Sequence, residues 1–213
     1  KRAELAKKLN WLRAGVLGAN DGIVSTAGLV MGVAGANASS QSILIAGVAA
    51  TVAGSISMAG GEYTSVSAQR DSEIAALARE RQELIDQPDI ELRELALFYE
   101  SKGLSAKLSM QVAEELTAKD ALQAHAEAEL GIDSQNQVSP TAAAVSSLVS
   151  FAAGAVLPLM AITGPWEEYR IAATVGAVVT SLAITGFVGA KIGEARTSRP
   201  IIRNVVVSLL TMG

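Results

Sequence analysis

The sequence predicts an all-α membrane protein. It would have five transmembrane helices, the last incomplete, and a cytoplasmic three-helix insert between the second and third spans. Three observations carry this reading. Long apolar stretches rich in Gly, Ala, Ser and Thr recur along the chain, hydrophobic residues making up 50% and aromatics only 4%. The first stretch, WLRAGVLGANDGIVSTAGLVMGVAG, carries a single charge, Asp21, after Arg13. Residues 66–139 are polar and strongly acidic. Small residues in apolar helices let backbones approach closely in lipid, where packing replaces the hydrophobic effect between helices.

The spans follow from apolar length, since about 20 residues of helix cross a ~30 Å hydrocarbon core. They are expected at about 12–35, 42–65, 141–163 and 169–190, with a fifth starting near Ile201. From Ile201 to Gly213 there are thirteen residues, too few for a span at ~1.5 Å per residue, so the fifth is expected to be incomplete. The first stretch is too long for a cleaved leader and has no cleavage pattern, so it is read as a retained span. Lys1, Arg2, Lys7, Lys8 and Arg13 precede span one; Lys191, Arg196, Arg199 and Arg203 follow span four. Positive flanks face the cytoplasm, which places the amino terminus and the insert there. Trp11 and Trp166 fit interfacial anchors. The domains are then 1–65 (spans one and two), 66–139 (insert) and 140–213 (spans three to five).

The insert holds fifteen acidic and seven basic residues, a net −8 within a chain of −4. Such a surface suits a cation and disfavours nucleic acid. Its first helix is expected to continue from span two and stop before Pro88, with Asp86 and Gln87 in the turn. A second covers about 89–101, and Gly103 breaks the chain. Ser105 is placed to N-cap a third, about 106–130, ending at Gly131. Leu108, Val112 and Leu116 should form its buried face.

Centring a carboxylate in a bilayer costs roughly 3 kcal/mol or more, so Asp21 is expected to face an ion or proton path. A helix break beside Gly18 and Gly22 is the structural alternative. In the insert, Glu80 and Glu83 share one helical face, as do Glu91 and Glu94, with Glu73 near the first stripe. A hairpin about Pro88 could oppose the two pairs and offer oxygen ligands to a divalent cation. The alternative is a solvated face paired to Arg79, Arg81 and Arg93. With no cysteine and one histidine, thiolate and multi-histidine sites are excluded. No E-x-x-H pair of the di-iron type and no phosphate-binding G-x-x-x-x-G-K-[ST] loop occurs, so an enzyme and ATP-driven transport are both disfavoured.

The blocks ANDGIVSTAGLVMGV, SISMAGGEYTSVSAQRD, RERQEL and YESKGLSAKLSMQVAEEL resemble the vacuolar iron transporter family, which includes the yeast calcium-sensitivity complementing transporters. The resemblance covers nearly the whole chain. It implies a five-span homodimer that exports Fe²⁺, and often Mn²⁺, from the cytosol in exchange for protons. It implies no prosthetic group; Zn²⁺ and Co²⁺ are further candidate cations. By position it implies that Asp21 and Met58 belong to the path, and that Glu80, Glu83, Glu91 and Glu94 bind metal in the insert. Where the resemblance implies a methionine and a glutamate near the end of the third insert helix, this chain has HAEAELG. Glu129 is then the expected ligand, with Glu127 second. His125, four residues before Glu129, could replace the sulfur, although a lone helical histidine is ordinarily polar surface. The resemblance also implies, in some members, a deeper carboxylate in span two, where this chain has Ala50.

Glu62 lies one turn after Met58. It could pass metal between insert and path, or sit at the headgroup boundary with Arg13 as partner. A membrane metal sensor without transport is the competing function; it would not require Asp21 and Met58 inside the bilayer. The Ala/Gly/Val-rich spans and short connections favour a bacterial plasma membrane over a vacuolar one.

Overall fold

The computed structural model describes residues 2–132, 139–193 and 198–212. The linker 133–138 and Arg196 lie outside the described residues, as do the side chains of Arg2, Lys7 and Lys8. All regular structure among them is helical: α1 (Arg2–Gly35), α2 (Ser40–Asp86), α3 (Pro88–Ser101), α4 (Ala106–His125), α5 (Pro140–Thr163), α6 (Arg170–Ile192) and α7 (Ser198–Met212). Among the described residues four helices are long and apolar enough to cross a membrane, within Trp11–Gly35, Ser40–Asp86, Pro140–Thr163 and Glu167–Ile192. The chain divides into two compact units, residues 1–65 with 139–213, and residues 66–138.

In the first unit α1 packs against α5, and α6 packs against α1, α5 and α7. Glycine makes the α1–α5 approach possible. A Cβ at Gly22 would collide with the carbonyl oxygen of Phe151, and one at Gly154 with that of Ala19. This is backbone-to-backbone packing, in which the missing side chain is the reason the helices can touch. Ile23, Ala27, Val178 and Leu182 fill the space between α1 and α6. Val30, Ile43 and Ile162 join α1, α2 and α5. Beyond these contacts α2 presents an apolar face outward, including Ile45, Val52 and Ile56.

The turn between α1 and α2 has Asn37 at φ 58°, a left-handed position that asparagine tolerates better than most residues. Ser39 Oγ then accepts the Ser42 amide at 3.2 Å and caps α2. Ser139 caps α5 in the same way, ahead of Pro140 in the first turn. Trp166, placed at an interface by the sequence, donates from Nε1 to the Ala161 carbonyl at 2.7 Å. A polar clasp joins α1 and α7. Asn20 of α1 and Asn204 of α7 exchange reciprocal amide hydrogen bonds, and Asn204 also donates to the Leu182 carbonyl at 2.9 Å.

In the second unit α2 continues unbroken through Asp86, so the turn is made by Gln87 alone and not by Asp86 with Gln87. Pro88 starts α3, where its missing N–H costs nothing. Leu95, Ala96, Ala113 and Ala124 form the core between α3 and α4. The buried face of α4 differs from the expected one. Ser109 and Ala113 are buried, Leu116 packs beside them, Val112 is half-buried, and Leu108 is exposed. Small residues face α3, which lets the helices approach closely and turns the larger Leu108 outward. Ser105 stands at the start of α4, but its hydroxyl makes no cap hydrogen bond.

The third insert helix is also not one continuous α-helix. Asp120 breaks it at φ −164°, ψ 94°. Its carboxylate accepts the Gln123 amide at 3.0 Å and so recaps the chain beyond the break. A π-helical turn comes next over Ala126–Leu130, and Gly131, at φ 64°, closes it. π-turns are rare and concentrate at functional sites.

Candidate metal sites

Three helices of the insert deliver side chains to one point. Glu80 comes from the last turns of α2, Glu91 from the first turn of α3, and His125 from the end of α4. All three are buried, at 5%, 6% and 0% exposure. Far from being polar surface, His125 is the centre of the cluster. Its Nδ1 lies 3.0 Å from Glu80 Oε1, 3.1 Å from Glu129 Oε1 and 3.7 Å from Glu91 Oε2. The π-turn begins at the residue after His125 and carries Glu129.

These approaches are close but are not directed as hydrogen bonds. Glu80 Oε1 and both ring nitrogens of His125 are buried without a properly oriented partner. Buried polar atoms nearly always find a partner, so each exception calls for an explanation. A shared cation supplies one. Glu80, Glu91 and His125 each offer a ligand atom, and these atoms lie within 4.8 Å of one another. Ligands about 2.1 Å from a common ion stand at most about 4.2 Å apart, so only slight contraction is required.

The electrostatics agree. Burial pushes the Glu80 carboxyl up; His125 opposes this, while Glu129, Glu83 and Glu94 reinforce it. Glu91 is raised by burial, then by Glu94 and Glu80, again against His125. Glu129 is raised by burial, with His125 pulling it down and Glu94 and Glu91 pushing it up. Carboxylates that repel one another in a dry site are relieved by a divalent cation.

Each E-x-x-E pair is therefore split. Glu80 and Glu91 are buried ligand candidates; Glu83 and Glu94 are exposed and act on them through their field. Glu127 is exposed and accepts from Gln123 Nε2 at 2.8 Å, so it turns away from the cluster. Glu73 likewise accepts from Gln69. Among the described residues, Arg79, Arg81 and Arg93 form no ion pair with the cluster.

A second candidate site lies in the other unit. Asp21, Met58 and Glu62 line one open cavity of ≈ 550 Å³, together with Ser25, Ser57 and Phe151. Asp21 is exposed to it, and Met58 and Glu62 are half-buried. Gly54 admits the Phe151 ring against α2, which sets one wall. Ala50 also lines the cavity, so no carboxylate stands at that depth of α2. Arg13 is not the partner of Glu62: it lines a different cavity, beside α6 and α7.

The model of the VIT family matches residues 12–213. The chain belongs to this family. Membership supports a membrane metal transporter and not an enzyme, and the buried cluster of Glu80, Glu91 and His125 is consistent with metal binding. A vacuolar iron transporter of Acanthamoeba castellanii is 48% identical over 188 residues, covering 87% of this chain and 68% of the relative. Vacuolar iron transporter homolog 5 of Oryza sativa subsp. japonica is 34% identical over 212 residues, 99% of this chain and 79% of the relative. Homolog 4 of Arabidopsis thaliana is 33% identical over 210 residues, 98% and 82%. These relatives overturn the expectation of a bacterial plasma membrane: they are eukaryotic and carry vacuolar names. Composition misled there, because small-residue spans reflect helix packing and not the membrane they sit in.

Proposed function

We propose that this VIT-family chain exports Fe²⁺, with Mn²⁺ as a second cargo, from the cytosol into a vacuole in exchange for protons. The observation that carries the reading is the shared cavity of Asp21, Met58 and Glu62. A carboxylate can trade a proton for a cation. A thioether is a soft ligand that tolerates Fe²⁺ and offers little to Ca²⁺ or Mg²⁺. The vacuolar destination rests on the names of the relatives. α7 is read as the start of a fifth span, and the outward apolar face of α2 as the meeting surface of a homodimer.

The insert then collects metal. Glu80, Glu91, His125 and Glu129 hold the ion, and Glu83 and Glu94 raise its local concentration. A metal sensor without transport would have no use for a carboxylate and a thioether in one cavity among apolar spans.

Purified protein in proteoliposomes with an imposed pH gradient tests this. Metal flux is expected to rise with the opposing proton gradient, and Asp21→Ala or Met58→Ala should abolish it while the protein remains folded. Normal flux in Asp21→Ala would remove that residue from the mechanism. Flux indifferent to the gradient, at constant membrane potential, would indicate a channel. Replacing Glu80, Glu83, Glu91 and Glu94 together by Ala should slow transport without stopping it.

A further inference from the structure

Residues 12–16 of α1, the end of α6 and the start of α7 line an open cavity of ≈ 280 Å³, separate from the one that holds Asp21, Met58 and Glu62. Its walls are mainly apolar, with Leu12, Val16, Gly189 and Pro200 among the lining residues. Arg13 and Arg203 join that lining, and among the described residues no acidic residue does. Both arginines are exposed, and among the described residues neither has an ion-pair partner. Trp11, 57% exposed and two residues before Arg13, marks the headgroup level of a bilayer. Arg13 lies two residues further along the same helix, at the start of the apolar stretch Trp11–Gly35.

We propose that this cavity binds an anionic phospholipid, with Arg13 and Arg203 clasping its phosphate and the apolar wall taking the start of an acyl chain. The planar fork of arginine matches phosphate geometry. Two such forks, one on α1 and one on α7, bind the charge from both sides. A free inorganic phosphate would satisfy the arginines but leave Leu12 and Val16 wet. A zwitterionic lipid would bring its own cation toward them. The lipid bridges the same two helices that Asn20 and Asn204 hold together deeper in the unit. Occupancy would then stabilise the docking of α7, since a ligand that binds only the folded state adds to its stability.

Native mass spectrometry of the full-length protein in detergent decides the matter, with phosphatidylglycerol, phosphatidylcholine and inorganic phosphate as probes. Phosphatidylglycerol should be retained at least about tenfold better than phosphatidylcholine. The preference should vanish in the paired variant Arg13→Gln/Arg203→Gln and persist in Lys107→Gln, which removes one positive charge from the insert. Thermal unfolding should rise with phosphatidylglycerol for the parent only. Equal retention of the two lipids by the parent protein would overturn the proposal, as would a paired variant that keeps the preference. Inorganic phosphate that displaces the lipid and stabilises the protein equally well would make this a simple anion site, and would overturn it too. Should the paired variant fail to fold, each single variant serves: one that keeps the full preference overturns the proposal.

Discussion

Replacing His125 by Phe separates a metal ligand from a core ring. Phenylalanine keeps an aromatic ring of similar size in a site where His125 is wholly buried, but it offers no lone pair. Four groups meet at His125: its own ring, Glu80, Glu91 and Glu129. A micromolar site corresponds to about 8 kcal/mol. Shared over four donors, that is roughly 2 kcal/mol each, or about 30-fold in Kd. A second effect works in the same direction. His125 holds the carboxyls of Glu80, Glu91 and Glu129 down against burial. Without it they keep their protons to higher pH, and a metal must displace those protons to bind. Isothermal titration of the full-length protein with Zn²⁺ at pH 7 should therefore show at least about 30-fold weaker binding, with the loss growing as pH falls. Glu80→Gln, which preserves size, should lose a comparable amount. A His125→Phe protein that melts cooperatively and binds Zn²⁺ within twofold of the parent would refute the assignment, leaving His125 as packing.

Three further outcomes rest on the geometry. The carboxyls of Glu80, Glu91 and Glu129 are raised above their ordinary value, so the folded metal-free insert binds more protons than the unfolded chain. Its stability should be full below about pH 4.5 as far as these groups decide it, and should fall as pH rises from there through the raised values; thermal melts with a chelator, repeated with added Mn²⁺ to reverse the loss, check the sign. Gly22→Ala places a methyl group against the Phe151 carbonyl and should cost more than the ~1–3 kcal/mol usual for overpacking, because backbone cannot rotate away. Gly28→Ala meets nothing within 4 Å and should fold normally, so equal yields of folded protein from the two would contradict the α1–α5 packing. Asn204→Leu removes the amide clasp to Asn20 and Leu182; interhelical hydrogen bonds in membranes average ~0.6 kcal/mol with a maximum near 1.7, so a loss of about 1–2 kcal/mol is expected in denaturant unfolding.

The elements of this protein were legible because their causes are local. Continuous apolar runs made the four long spans, and Pro88, Gly103 and Gly131 ended helices at the positions where their backbone chemistry requires it. The acidity of residues 66–139, and the blocks around Asp21 and Met58 that point to the family, are likewise properties of the chain read in order. What only the tertiary structure decided was which of several equivalent residues faces which neighbour. Spacing placed Glu80 and Glu83 on one face equally, yet only Glu80 is buried, because α3 and α4 close over one edge of that face and not the other. Sequence left His125 open between a ligand and polar surface; the break at Asp120 and the π-turn after it, invisible to a 3.6-residue periodicity, set it at the centre of three carboxylates. Arg13 and Arg203, 190 residues apart, line one cavity only because α7 docks beside α1. Helical periodicity states which residues share a face, whereas burial, ligation and charge pairing belong to the partner that covers the face, and that partner comes from a distant part of the chain.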